Sequence, residues 1–304
     1  MLVIELVLLP MASDRIFGLS AALVTPFAED GSVDTARLVL HAKTVLAGGC
    51  DSFTLFGTTG EGYVLSLGDR EAILAAVAGS GIEMRDSVYA GVAAVSIDDA
   101  VAQSRLALDA GARGLLVAPP FYLKGVEDEG LYAWFSRAIE RTGATARGVI
   151  LYHIPGQTAV PISVSLVSRL KKAFPGVIAG VKDSSGRWED ASAFLAEHGE
   201  LAILVGDERL LARAMRAGAQ GSICGLANLA PGLLRPVIHE GRDIDKVVRL
   251  VDMICSLPVL PAVKALTAHV HNDNGFVRTR PPLTDLDPAL ARQAAAQFDA
   301  ILAA

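Results

Sequence analysis

Residues 148–184 contain two short apolar runs, G-V-I-L-Y-H-I-P at 148–155 and V-I-A-G-V-K-D-S at 177–184. Each run is continuously apolar rather than alternating, which is typical of strands buried on both faces of a parallel sheet. The segment between them has helical periodicity over residues 163–172. This stretch therefore predicts one strand–helix–strand unit of a parallel sheet.

The same alternation recurs along the chain of 304 residues. Further apolar runs begin at residues 18, 51, 87, 114, 202 and 221. The other predicted helices cover residues 34–46, 66–77, 96–110, 127–141, 187–198, 208–217 and 232–240. Eight such units predict an α/β fold, a closed (β/α)8 TIM barrel with additional C-terminal helices. An open doubly wound sheet is the alternative, but no G-x-G-x-x-G follows the first strand.

The two ends of the chain differ from the repeating part. We expect residues 1–12 to form an N-terminal extension that need not be native, residues 13–240 to form the barrel, and residues 241–304 to form a helical segment packed on it. The apolar run at residues 2–9 is too short to cross a bilayer, which takes about 20 residues, and it lacks the basic start of a signal peptide. We therefore expect a cytoplasmic protein without a membrane contact.

Composition and charge exclude several function classes. The net charge is −6 and no basic tract exists, so we expect no nucleic-acid partner. The three cysteines, Cys50, Cys224 and Cys255, have no C-x-x-C spacing, which excludes a disulfide framework and a cysteine-rich zinc site. No H-E-x-x-H motif exists either. We therefore expect no structural metal.

One of the seven lysines stands out by its position. Lys182 follows the apolar residues of the run at 177–184, and the carboxyl ends of barrel strands form the catalytic mouth. The other six lie in helix or loop segments, where a solvated ammonium is the default. A buried ammonium requires a carboxylate partner or loses its proton, and a neutral lysine forms Schiff bases with carbonyl carbons. The alternative role for Lys182 is a structural ion pair with Asp183 or Glu61.

Three other motifs follow predicted strands. The run G-T-T-G-E at 57–61 offers a tight turn and the hydroxyls of Thr58 and Thr59, which suit a small carboxylate. Tyr152, in Y-H-I-P, is a candidate general acid–base or a core aromatic. Tyr122, in P-P-F-Y, is a second phenol or a surface aromatic. Each motif alone is weak, and their combination on successive strands is what indicates a site.

As a set, G-T-T-G-E at 57–61, Y-H-I-P at 152–155 and G-V-K-D-S-S-G at 180–186 resemble the dihydrodipicolinate synthase / N-acetylneuraminate lyase family of pyruvate-dependent aldolases. L-V-T-P-F at 23–27 and P-A-V-K at 261–264 extend the resemblance to nearly the whole chain. It implies a class I lyase without metal or organic cofactor. It also implies pyruvate and a small aldehyde or 2-keto acid as partners, and a homotetramer built as a dimer of dimers.

The resemblance also implies roles for individual residues. Lys182 would form the Schiff base with C2 of pyruvate. Tyr152, Thr58 and Tyr122 would relay protons, with Tyr122 supplied by the neighbouring subunit. The substrate-binding residues that it implies are Gly57, Thr59, Gln157, Gly206 and Ile223.

Position 157 departs from the pattern of the family. Dihydrodipicolinate synthases usually carry an arginine there, which binds the carboxylate of the aldehyde, whereas this chain has Gln157. An amide cannot replace the charge-assisted pair, but it suits a hydroxyl or carbonyl. The sequence leaves open a dihydrodipicolinate synthase-like condensation and an aldolase or dehydratase for 2-keto-3-deoxy sugar acids. A non-catalytic barrel that binds a keto acid is the alternative from another class.

Overall fold

The computed structural model describes residues 16–304 and shows a closed barrel of eight parallel strands in chain order. Strand β1 pairs with both β2 and β8, which closes the barrel. The predicted fold class is confirmed, whereas the expected extension at residues 1–12 lies outside the described residues. The strands are Gly18–Ala22 (β1), Ser52–Leu55 (β2), Val88–Val92 (β3), Gly114–Val117 (β4), Val149–His153 (β5), Ile178–Asp183 (β6), Ala202–Val205 (β7) and Gly221–Cys224 (β8).

Helices alternate with the strands and continue beyond the last one. They are Thr35–Ala47 (α1), Leu67–Ala78 (α2), Met84–Ser87 (α3), Ile97–Asp109 (α4), Asp128–Thr142 (α5), Pro155–Thr158 (α6), Val164–Ala173 (α7), Trp188–His198 (α8), Glu208–Arg216 (α9), Pro231–Glu240 (α10), Asp245–Cys255 (α11), Val259–His271 (α12) and Pro288–Ala303 (α13). The last three are the additional C-terminal helices. Within residues 16–304, no helix combines the length and apolarity needed to span a membrane.

The strands are buried on both of their faces, as their continuous apolar sequences predict. Every residue of β1 to β5 and of β8 is buried. The larger core lies between the strands and the surrounding helices. A second, smaller core includes Tyr89, Leu116, Ile150 and Leu204, which alternate along their strands with residues of the larger core. Because strand side chains alternate in direction, these residues fill the inside of the barrel.

Side-chain caps fix several helix starts. Asp34 accepts a hydrogen bond from the Arg37 backbone N–H at 2.9 Å at the start of α1. Ser66 and Asp69 form a reciprocal capping box at the start of α2. These bonds satisfy backbone donors that have no partner within the helix. The local sequence therefore sets the boundaries that the apolar periodicity predicts.

The connection between α12 and α13 lies against the carboxyl ends of the barrel strands. The Arg280 backbone N–H donates to Glu61 Oε2 at 2.9 Å, and the Arg280 guanidinium pairs with Asp69 at 2.8 Å. The same guanidinium donates to the carbonyl of Gly31 at 2.7 Å. Residues distant in the chain are thereby joined, which places the C-terminal segment beside the loop that follows β2.

Candidate active site

Lys182 lies near the carboxyl end of β6, and its side chain is 5% exposed. Its register partner on β5 is Tyr152. Lys182 Nζ donates to Tyr152 Oη at 3.2 Å and lies 4.3 Å from the centre of the Tyr152 ring. The pairing of two adjacent strands thus holds the amine and the phenol together, without a contribution from a flexible loop.

A second hydroxyl extends this contact. Tyr152 Oη lies 3.3 Å from Thr58 Oγ1, in the loop that follows β2. Both hydroxyls can donate or accept, so the three groups form a continuous path for a proton. Three of the four residues predicted as catalytic are therefore brought together.

The structure does not show the ion pair that was the alternative role of Lys182. Glu61 binds Lys264 instead, at 2.6 Å, and both side chains are fully buried. Asp183 Oδ1 accepts the backbone N–H of Ser185 at 3.0 Å. Among the described residues, no carboxylate lies within ion-pair distance of Lys182.

The expectation of a solvated ammonium is wrong for Lys264. Its Nζ also donates to the backbone carbonyl of Thr25 at 2.9 Å, and burial lowers the pKa of the ammonium while the Glu61 charge opposes that shift. Glu61 itself has a left-handed backbone, with φ of 54°. The pair joins α12 to the loops after β1 and β2. The only signal for this ion pair in the sequence was the P-A-V-K motif at 261–264, which is part of the family resemblance described above.

A cavity of about 350 Å³ surrounds the Lys182 amine. Its wall contains three predicted catalytic residues and four predicted substrate-binding residues: Thr58, Tyr152 and Lys182, and Thr59, Gln157, Gly206 and Ile223. The two carboxylates in the wall have other partners. Asp207 pairs with Arg209 at 2.7 Å, and Glu208 accepts the backbone N–H of Leu226 at 3.0 Å. Neither carboxylate therefore engages the Lys182 amine, which lies in the cavity wall without an ion-pair partner among the described residues.

Comparison with known proteins gives the family. The model of the dihydrodipicolinate synthetase family matches residues 15–301. The chain belongs to the dihydrodipicolinate synthetase family. The predicted family is confirmed, and with it the prediction of an enzyme of the lyase and aldolase class.

Several members of this family are similar over most of their length. The chain is 35% identical to an uncharacterized DapA-like lyase of Chloroflexus aurantiacus, over 84% of this chain and 86% of that protein. It is 31% identical to the 4-hydroxy-tetrahydrodipicolinate synthase of Salinibacter ruber, over 92% of this chain and 88% of that protein. The crystal structure of dihydrodipicolinate synthase from Agrobacterium tumefaciens strain C58 superposes with a TM-score of 0.91 at 48% identity, covering 94% of this chain and 99% of that one.

Two residues of the family pattern do not line the Lys182 cavity. Gly57 contributes backbone only: its carbonyl accepts the Gly62 N–H at 3.1 Å and closes the turn. Tyr122 is 77% exposed in the loop between β4 and α5. Its contribution from a neighbouring subunit, which the family pattern implies, stays a prediction.

Gly206 is required by close packing at the end of β7. A side chain there would bring its Cβ to 2.2 Å from Ser184 Oγ. The Gly206 N–H donates to the carbonyl of Asp183, the last residue of β6, at 2.7 Å and continues the pairing of β6 and β7 by one residue. The absence of a side chain keeps this part of the cavity wall open.

A cluster of His153, Asp183 and Asp190 is the one place in residues 16–304 where three potential metal ligands converge. His153 and Asp183 follow Tyr152 and Lys182 along their strands, so they face outward, away from the amine. His153 Nε2 lies 3.6 Å from Asp190 and 3.9 Å from Asp183. However, Nδ1 accepts the backbone N–H of Ile162 at 3.0 Å, so the proton of the neutral ring is on Nε2. A protonated nitrogen cannot bind a metal, and the cluster does not suit one.

Proposed function

We propose that this protein is a class I pyruvate-dependent aldolase, similar to 4-hydroxy-tetrahydrodipicolinate synthase, that condenses pyruvate with an aldehyde through a Schiff base on Lys182. The observation that carries the proposal is the path from the buried Lys182 Nζ to Tyr152 Oη, at 3.2 Å, and on to Thr58 Oγ1, at 3.3 Å. The names of the relatives from Salinibacter ruber and Agrobacterium tumefaciens support it.

The first half of the reaction forms the imine. The Lys182 amine attacks C2 of pyruvate, and Tyr152 supplies the proton with which the C2 oxygen leaves as water. Thr59 lines the same cavity and supplies a hydroxyl for the pyruvate carboxylate. The protonated imine withdraws electrons from the adjacent methyl group, and the Tyr152 phenolate left by the first step takes up a methyl proton, which gives the enamine.

The second half forms the carbon–carbon bond. The enamine carbon attacks the aldehyde carbon. The aldehyde oxygen takes up a proton from Tyr152, whose hydroxyl contacts Lys182 Nζ. Thr58 lies on the other side of the phenol and can return that proton. Water then hydrolyses the imine, which releases a 4-hydroxy-2-oxo acid and the free Lys182 amine. No step requires a metal.

Borohydride trapping tests the lysine. We expect incubation with pyruvate followed by borohydride reduction to leave a pyruvate-sized adduct on the peptide that contains Lys182. The variant Lys182→Arg should lose the adduct, whereas Lys172→Arg, at an exposed position of α7, should keep it. No adduct, or an adduct on another lysine, would contradict the proposal and favour a non-catalytic barrel that binds a keto acid.

A panel of substrates tests the reaction. We expect pyruvate to be consumed in the presence of an aldehyde and to be released from the corresponding 4-hydroxy-2-oxo acid. Cleavage of 2-keto-3-deoxy sugar acids, without condensation of simpler aldehydes, would instead assign the protein to the sugar-acid alternative.

A further inference from the structure

A second cavity opens from the Lys182 cavity. Its volume is about 760 Å³, against about 350 Å³ around the amine. We call it the acceptor cavity. The residues that line both cavities are Thr58, Ile154, Gln157, Val259 and Leu260. A molecule bonded to Lys182 can therefore extend past Gln157 into the larger space.

The wall of the acceptor cavity is mainly apolar. Its far side consists of residues 282–287 and Leu290, from the connection between α12 and α13 and the first turn of α13. Phe121, Ala118 and Pro258 are further apolar members of the wall. Cavities of about 300–1,000 Å³ with such a lining are typical of sites for small organic ligands.

The charged side chains in the wall of the acceptor cavity are two aspartates, Asp285 and Asp287. Asp285 accepts the backbone N–H of Thr279 at 2.6 Å, and Asp287 caps α13. None of the described residues that line the acceptor cavity is a lysine or an arginine.

Two cations beside the wall, Lys124 and Arg280, are held by other groups. Lys124 donates to the backbone carbonyls of Phe121 and Thr158, both of which belong to the wall. Arg280 pairs with Asp69 at 2.8 Å. A carboxylate in the acceptor cavity would therefore lie beside acidic groups without a charged partner, which is unfavourable.

We propose that the aldehyde substrate is uncharged and largely apolar, with an alkyl or aryl group that occupies the acceptor cavity. This inference rests on the proposed function. The enamine carbon of the Lys182 adduct bonds to the aldehyde carbon, the aldehyde oxygen takes up one proton, and hydrolysis releases the product. The product is a 4-hydroxy-2-oxo acid with the apolar group on C4.

Matched pairs of aldehydes test this inference. With pyruvate in excess, we expect kcat/KM for pentanal and benzaldehyde to exceed that for succinic semialdehyde and aspartate semialdehyde at least tenfold. Equal or better turnover of the carboxylated aldehydes would overturn the inference. Borohydride trapping with pyruvate alone, measured in parallel, distinguishes failure of this inference from failure of the proposed function. An adduct on Lys182 without a preference for apolar aldehydes contradicts only the inference, whereas no adduct contradicts the proposed function.

Charge introduced into the far wall gives a second test. Leu290 is 40% exposed and Thr284 is exposed, so lysine fits either position without disturbing the core. We expect Leu290→Lys and Thr284→Lys each to lower kcat/KM for pentanal at least threefold and to raise it for succinic semialdehyde. The pyruvate adduct should be unchanged. Leu40→Lys, at a position of α1 that is 61% exposed and outside the cavity, should change neither value.

A neighbouring copy of the chain is the competing occupant. If a copy filled the acceptor cavity, the aldehyde panel would show no preference, and Leu290→Lys would change the oligomeric state instead of the aldehyde kinetics. That result would overturn the inference. Thermal unfolding and the yield of pyruvate adduct show whether each variant is folded.

Discussion

Lys182 and Lys264 are both buried, and they differ in their partners. Lys182 contacts the phenol of Tyr152, whereas Lys264 contacts the carboxylate of Glu61. The Glu61 carboxylate favours the charged form of Lys264, whereas Lys182 contacts a hydroxyl and has no ion-pair partner among the described residues. The same side chain therefore serves as a structural cation in α12 and as a candidate nucleophile in β6.

The sequence could predict only the first of these two lysines. Lys182 follows an apolar strand, where barrel enzymes carry their reactive groups. Lys264 lies in a helix, and neither periodicity nor charge indicates that this helix face is covered by the loops after β1 and β2. Its partner is 203 residues away in the chain, so only the folded structure brings the pair together.

Removal of either partner should destabilise the protein. We expect Lys264→Met to lower the free energy of unfolding by about 3–5 kcal/mol, because it leaves a buried carboxylate unpaired. The double variant Glu61→Gln, Lys264→Met should recover part of that loss. Urea unfolding measures both, with Lys172→Met at an exposed position as the control. A loss below about 1 kcal/mol for Lys264→Met would show that the pair contributes little.

At the scale of elements, the eight strands begin within one residue of their predicted starts. Most starts are marked by a breaker or polar residue at or just before a short apolar run. The helices α3 and α6 were not predicted, because four residues are too few to show a helical period. The C-terminal helices were expected, but the course of residues 272–287 against the barrel depends on long-range contacts that no local pattern encodes.

The ion pair between Asp69 and Arg280 should make this contact sensitive to acid. The hydrogen bond from Arg280 lowers the pKa of Asp69 to about 2, from an ordinary value of 3.8. Because the folded pKa is depressed, the stabilisation is complete above pH 3.8 and is lost as the pH falls towards 2. We expect Asp69→Asn to cost about 2 kcal/mol at pH 7 and nothing near pH 2.

Urea unfolding at pH 7, 4, 3 and 2 measures this difference. The matched control is Asp245→Asn, because Asp245 is exposed at the start of α11. Its cost should be small at every pH. If the wild type and Asp69→Asn kept the same difference at pH 2 as at pH 7, the ion pair would not be its cause.

At the scale of the whole molecule, the candidate site gathers residues from six strand ends, including Thr58 after β2 and Lys182 in β6. The sequence could predict these residues because the barrel brings all of its strand ends to one face. It could not predict the acceptor cavity, whose far wall comes from the C-terminal segment. It also could not place Tyr122, because its expected role depends on a second chain.

Subunit complementation tests the expected role of Tyr122. If the phenol acts in the site of a neighbouring subunit, Lys182→Ala and Tyr122→Phe should each be nearly inactive alone. Random mixed dimers should recover about a quarter of the wild-type activity, because half of the dimers are mixed and each has one intact site. Co-expression and assay of the mixture measure this. Activity no higher than the sum of the separate variants would show that Tyr122 does not act across an interface.

The two cavities have consequences for how such a barrel can diversify. The groups that would form the imine belong to strands whose register is fixed on both sides, whereas the far wall of the acceptor cavity belongs to a connection outside the sheet. We therefore expect changes at residues 282–290 to alter which aldehyde the proposed aldolase accepts, while the proposed imine chemistry stays intact. The residues for the imine and the residues that face the second substrate thus lie in different parts of the fold. Evolution can substitute one set while the other is retained.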